Sequence, residues 1–260
     1  MNASLVLPRL RAGGLAVWRR NALVWRKLMV PSLLINFGEP FLYLLGLGYG
    51  LGMFIGDMMQ MPYLTFLASG ILASSSMNTA SFEGMYSVFT RMVPQRTYDA
   101  ILATPLEIQD ILAGEWLWTA TKCVISGTGI LLVATLLGAV HSWTALWVIP
   151  VLFLIGICFG GMALVMTAFA PSYDYFNYYF TLLLTPMFIL SGVFYPVSSL
   201  PEVVQGLVQL LPLTHAVDLV RPLVAGRALD GVWIHVAVLL AYGIVGFFAA
   251  VYFVRRRLIV

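Results

Sequence analysis

The chain has 260 residues, of which 61% are hydrophobic and 10% charged, with a formal net charge of +3 and a mean hydropathy of +0.93. A soluble domain carries about 25% charged residues, so this composition excludes one. Long apolar runs in place of strict alternation exclude a transmembrane barrel and point to an all-α integral membrane protein.

Leu7 to Lys27 reads as an amphipathic helix. Val17-Trp18-Arg19-Arg20 recurs seven residues later as Val24-Trp25-Arg26-Lys27, close to two helical turns, which places the Val-Trp pairs on one face and the cations on another. A plain stop-transfer flank is also basic, but a repeat that defines a face favours a helix lying in the interface of an anionic leaflet. The cations are interleaved with apolar residues, unlike the pattern of a cleavable signal peptide. A first span follows at about 30–53; Pro40 predicts a kink, and Gly46, Gly48, Gly50 and Gly52 permit close helix contact. The second span, about 62–81, carries many small residues, Ser74, Ser75 and Ser76 among them, which mark either a packed or a pathway-facing surface.

Residues 82–114 form the longest polar interval and read as a loop. Within it, the segment from Arg96 to Thr104 reads as a short helix ended by Pro105. The remaining spans fall at about 115–137, 145–169, 175–195 and 232–254, with Gly156 and Gly160 of the fourth at the spacing for close packing. Thr185 to Gly226 has its own pattern. It breaks at Gly192 and Pro196, then continues as two apolar pieces, Pro201 to Leu211 and Thr214 to about Val224. A helix needs roughly 20 residues to cross a bilayer, so pieces this short are expected to be re-entrant or interfacial. Asp218 and Arg221 lie three apart, a spacing that predicts a local pair.

Six spans put both termini on one side. Of the 14 Lys and Arg, Arg9, Arg11, Arg19, Arg20, Arg26, Lys27, Arg91, Arg96 and Arg255 to Arg257 fall at the termini or in 82–114. Only Arg221 and Arg227 fall on the other side, and Lys122 lies within the third span. Excess Lys and Arg in short loops marks the cytoplasm, so the termini and 82–114 are expected there, and 197–228 outside.

Several chemistries are excluded. With only two lysines, Lys27 after an arginine and Lys122 after a threonine, no Walker motif exists. No HExxH or GxSxG motif is present, and His141, His215 and His235 are scattered along the chain. No soluble cationic cluster suits nucleic acid. Cys123 and Cys158 sit inside apolar runs and read as core thiols. Among ionisable groups, Glu39 lies in the first span, Glu83 at a span end, and Glu115 and Lys122 share a face of the third. Sparse midplane carboxylates weigh against a secondary transporter or channel, the reading Glu39 would support. Tyr173, Tyr175, Tyr178 and Tyr179 suit stacking on sugar rings, but Tyr is enriched at membrane interfaces anyway.

Two strings carry a family resemblance: Ser191-Gly-Val-Phe-Tyr-Pro-Val-Ser-Ser-Leu-Pro201 and Leu211-Pro-Leu-Thr-His-Ala-Val-Asp-Leu-Val-Arg221. They resemble the C-terminal motif of type-2 ABC exporter permeases. Glu39 to Gly52 and Tyr98 to Leu106 are similar to the nodulation protein J branch of lipo-oligosaccharide exporters. The resemblance implies a multi-pass inner-membrane permease without catalytic activity: six spans, an amphipathic N-terminal helix, cytoplasmic termini and short external re-entrant helices. It implies a homodimer among membrane lipids with two copies of a separate ATPase, so that ATP and Mg belong to that partner and no cofactor to this chain. It also implies a coupling region, here Arg91, Arg96, Thr97, Tyr98, Asp99, Ile101 and Leu102. A pathway and exit gate would draw on Glu39, Tyr43, Ser74, Ser75, Ser76, Phe194, Tyr195, Pro196, Leu211 and Arg221. Polysaccharide and hydrophobic-drug exporters share this architecture and remain alternative substrate classes.

Overall fold

The computed structural model describes residues 13–29, 31, 38 and 40–259. Helices dominate, and the only strands among the described residues are β1 (Asp57–Met58) and β2 (Met61–Pro62), paired as a small hairpin. The helices are α1 (Gly13–Lys27) and α2 (Pro40–Ile55), then α3 (Tyr63–Phe82), which runs through a π-helical turn at Glu83–Ser87 into α4 (Val88–Met92). Next come α5 (Thr97–Leu102), α6 (Ile108–Leu136) and α7 (Val148–Phe169). α8 (Phe176–Tyr179) continues through a second π-helical turn, Phe180–Leu184, into α9 (Thr185–Leu190). α10 (Glu202–Val208), α11 (Pro212–Ala225) and α12 (Val232–Ile259) complete the chain.

Among the described residues, α6, α7 with its leading turn from Trp143, and α12 are each long and apolar enough to cross a membrane. α10 and α11 reach that standard only as a pair, and they meet at 88°. The break expected near Gly192 and Pro196 is present: α9 ends at Leu190, Gly192 takes φ +77°, and a 3-10 turn occupies Val197–Ser199. α3 is long enough, but Ser74, Ser75, Ser76, Asn78 and Thr79 dilute its apolar content.

The interval 82–114 differs most from the loop expected there. Met85, Val88, Phe89 and Met92 keep the helical apolar spacing and are buried, so the helix continues past Phe82. α6 likewise starts at Ile108 and not near Glu115. The Glu107 amide donates to Asp110 Oδ2 at 3.1 Å, satisfying a helix-start donor with an acid in the first turn.

Backbones approach closely at several crossings. A Cβ on Gly114 of α6 would lie 2.5 Å from the Gly14 carbonyl oxygen of α1 and 2.6 Å from Val17 Cβ. α1 is therefore docked along α6, with Trp18 Nε1 donating to Thr121 Oγ1 at 2.9 Å. The second crossing joins α7 to α12: a Cβ on Gly243 would lie 2.8 Å from the Ile157 carbonyl oxygen, and one on Gly246 would lie 2.6 Å from the Gly161 carbonyl carbon. Gly156 and Gly160 face α6, where a Cβ would meet Ala120 Cα at 2.5 Å and Thr119 Cγ2 at 2.9 Å. Small residues are what allow such contacts in lipid, where no hydrophobic drive joins helices.

Candidate functional site

Four charged side chains converge where α1, the π-helical turn after α3, α4 and α6 meet. Glu115 is fully buried, at 0% exposure, and Glu83 is at 6%. The Arg91 guanidinium forks onto Glu115, Nε to Oε1 at 2.9 Å and Nη2 to Oε2 at 2.6 Å. The same Nη2 reaches Glu83 Oε1 at 3.2 Å, and Lys122 Nζ reaches Glu83 Oε2 at 3.2 Å. Trp118 Nε1 and Ser87 Oγ each donate to Glu83 at 2.9 Å, and Asn21 Nδ2 of α1 donates to Glu115 at 2.8 Å. Two carboxylates and two cations thus balance. Buried ions persist only when paired and hydrogen-bonded in this way. Burial resists ionisation of Glu83, yet Lys122 and Arg91 beside it hold its carboxyl below the usual carboxylate range.

α5 buries one ring, Tyr98, beside this cluster, with Ile101 and Leu102 packed against the same core. Tyr98 is 0% exposed, and burial, then the neighbouring Glu115 carboxylate, push its phenol well above the usual range. Arg96 adopts φ +48° at the helix start, an uncommon conformation for a side-chain-bearing residue. Arg96 and Asp99 are exposed, whereas Thr97, Ile101 and Leu102 are half-buried. The short helix therefore presents two charges outward and anchors itself inward through Tyr98.

At the other end of α3, Arg221 of α11 is 8% exposed. Its Nε donates to Ser69 Oγ at 3.1 Å, its Nη2 to the Gly192 carbonyl at 2.6 Å and to the Phe66 carbonyl at 3.5 Å. The guanidinium carbon sits 3.7 Å over the Phe66 ring centroid, within cation–π range. The local pair with Asp218 expected from their spacing is not formed, because the carbonyl freed by the break at Gly192 and the face of Phe66 take the guanidinium instead. An Arg221→Lys variant keeps the charge but loses the fork and the ring contact. It should cost about 1–3 kcal/mol in thermal denaturation of the purified protein, with Ser69→Ala costing less.

The histidines are less scattered than their positions suggest. His215 Nε2 lies 2.8 Å from the Gln209 carbonyl, and His215 Nδ1 lies 2.8 Å from His235 Nδ1. A carbonyl only accepts, so Nε2 of His215 carries the hydrogen and its Nδ1 accepts from His235. The 20-residue spacing of the two histidines gives no sign of this contact.

The other pathway and gate candidates divide into groups. Tyr43 and Phe194 come together with Phe188, ring centroids 4.9–6.4 Å apart. Ser74 and Ser76 are buried and donate to carbonyls of their own helix, Ile71 at 3.2 Å and Leu72 at 2.8 Å, while Ser75 is half-buried. Tyr195, Pro196 and Leu211 are half-buried beside the corner, away from the charge cluster. Glu39 lies outside the described residues. Of the four tyrosines considered for sugar stacking, Tyr173 lies against Tyr86 at 6.0 Å with a 9° interplanar angle, Tyr179 is buried and Tyr178 is exposed. Glu115 and Lys122, on one face of α6, both reach the cluster but take separate partners.

A helical bundle with membrane-length apolar helices, close glycine crossings and buried polar devices at both ends of α3 is that of a multi-pass membrane protein. Residues 14–224 match the family described as "ABC-2 type transporter", and the chain belongs to that family. It is 45% identical over 244 residues to "Nodulation protein J" of Rhizobium meliloti (strain 1021), covering 94% of this chain and 93% of that one. The protein of the same name from Bradyrhizobium diazoefficiens is 44% identical over 255 residues, covering 98% and 97%. The "Inner membrane transport permease YadH" of Escherichia coli (strain K12) is 29% identical over 207 residues, covering 78% and 79%. The family is one of transport subunits, not of enzymes.

Proposed function

We propose that this chain is the transmembrane subunit of an ATP-driven exporter that moves an amphiphilic, glycolipid-like or lipo-oligosaccharide substrate out of the cytoplasm or inner leaflet. Two copies pair as a homodimer and assemble with two copies of a separate ATPase, which binds ATP and Mg. The chain has six spans with both termini in the cytoplasm, and α10 and α11 form a re-entrant element on the outer side. The distribution of Lys and Arg supports that orientation.

The observation that carries the reading is the attachment of α5 to the buried cluster. α5 is exposed through Arg96 and Asp99 and anchored through Tyr98 beside Arg91 and Glu115. A partner pressing on α5 moves one body made of α1, the π-helical turn between α3 and α4, α4 and α6, because Asn21, Glu83, Arg91, Glu115 and Lys122 tie these together. Closure of the ATPase dimer would reach the spans through this body. The substrate then leaves past Tyr43, Phe194 and the corner between α10 and α11.

Charge reversal tests the docking role. Arg96→Glu combined with Asp99→Arg should leave insertion and ATP hydrolysis intact in the assembled exporter while transport falls to background. Both residues are exposed, so the fold does not depend on them. Transport at the unaltered rate in that double variant overturns the assignment.

A further inference from the structure

Between α1 and the charge cluster lies a cavity of about 310 Å³ that opens to the surface. Its inner wall carries Arg91, Lys122 and Glu83, and its outer wall is α1. Arg20 and Val24 line it from one side of the helix, four residues apart, and Leu28, in the turn after α1, lines it too. Two further walls are Trp25 and Trp118, ring centroids 5.9 Å apart and edge to face.

The charges in this cavity are unevenly matched. Arg91 is held by Glu115 and Glu83, and Lys122 by Glu83. Arg20 donates to Asn21 Oδ1 at 3.1 Å and forms no ion pair among the described residues. Beyond Arg20 the lining turns apolar: Val24 is 50% exposed and Leu28 is 60% exposed. One edge of the cavity is therefore cationic, and the edge along Val24 and Leu28 is apolar. The N-terminal Val-Trp repeat acquires a use here: Val17 packs on α6, while Val24 is left uncovered beside the cavity.

We propose that this cavity binds an anionic amphiphile, with a phosphate, sulfate or carboxylate head against Arg20 and an acyl chain along Val24 and Leu28. The volume suits one head group, a guanidinium in no ion pair among the described residues suits an oxyanion, and a basic helix with exposed apolar side chains suits the leaflet boundary. Two sources share this chemistry: an anionic phospholipid of the bilayer, and an exported amphiphile bearing an anionic head.

The test uses the full-length permease in phosphatidylcholine nanodiscs and measures bound amphiphile by native mass spectrometry. One arm adds phosphatidylglycerol to the bilayer; the other adds a sulfated lipo-oligosaccharide. The variants are Arg20→Gln, Arg20→Lys and, as a control, Arg19→Gln, whose side chain is exposed and does not line the cavity. Arg20→Gln should lower retention by about tenfold or more, the loss expected for one charge-assisted contact. Arg20→Lys should recover part of it, and Arg19→Gln should leave it unchanged. Loss confined to the phosphatidylglycerol arm identifies a resident lipid, and loss confined to the other arm identifies the exported amphiphile. Equal losses for Arg19→Gln and Arg20→Gln, or no loss in either arm, overturn the proposal.

Discussion

An Arg91→Met permease should lose about 3–5 kcal/mol of stability, the usual cost of removing one partner from a buried ion pair. The loss arises at Glu115, which is fully buried and would keep only the Asn21 amide. Glu83 would fare better, since Lys122, Trp118 and Ser87 still donate to it. The asymmetry makes a second expectation. Adding Glu115→Gln to Arg91→Met removes the stranded charge and should restore most of the stability, giving a large coupling energy in the double-mutant cycle. Thermal denaturation of the four purified proteins in one detergent supplies all the terms. If Arg91→Met unfolds no earlier than the parent, the cluster does not hold α1, α4 and α6 together.

A Gly161→Val substitution should be similarly damaging for a steric reason. The added Cβ would collide with the Gly243 carbonyl oxygen, and Gly243 and Gly246 in turn lie against Ile157 and Gly161. Neither helix has a flexible side chain at this point that can yield; only separation of α7 and α12 relieves the clash. Overpacking costs about 1–3 kcal/mol where side chains can adjust, and backbone contact leaves less room. The expected outcome is a protein that inserts but elutes as aggregate in size-exclusion chromatography. Gly206→Ala on α10 is the matched control: a Cβ there meets nothing within 4 Å, and alanine favours helix. That control should behave like the parent or slightly better.

Much of this fold was legible because bilayer length and glycine spacing are local signals. Gly156 and Gly160 read as a close-packing pair and face α6; Gly192 read as a break and carries φ +77°. The interval 82–114 was misjudged for a definite reason. Glu83, Arg91 and Glu115 look like the edges of spans when each charge is weighed alone. They are tolerated inside the bundle because, together with Lys122, they neutralise one another, with pairs that span 24 and 39 residues, which is a tertiary fact. The same holds for Arg221. Its spacing pointed to Asp218 on its own helix, but its partners Ser69 and Gly192 lie 152 and 29 residues away. The His215–His235 contact and the cavity beside Arg20 likewise depend on which helices are neighbours. The resemblance places Tyr98 in a coupling region; that it is the buried residue of that segment follows only from the packing of α5.

The reach of Arg221 also bears on how the protein is made. The ribosome delivers the chain from its N-terminus, so α3 and the bend at Gly192 exist before residue 221 is synthesised. Until then the Ser69 hydroxyl can rest on the Phe66 carbonyl, 2.7 Å away, but the Gly192 carbonyl lacks its guanidinium. A guanidinium costs about 2.5–3.5 kcal/mol at mid-membrane without partners, so Arg221 gains by burial only after those earlier segments have taken their final places. Closure of this contact therefore requires Phe66, Ser69 and Gly192, all within about the first three-quarters of the chain, to be in their final places. A nascent chain arrested short of Arg221, or misfolded around Ser69, leaves the Gly192 carbonyl without this donor.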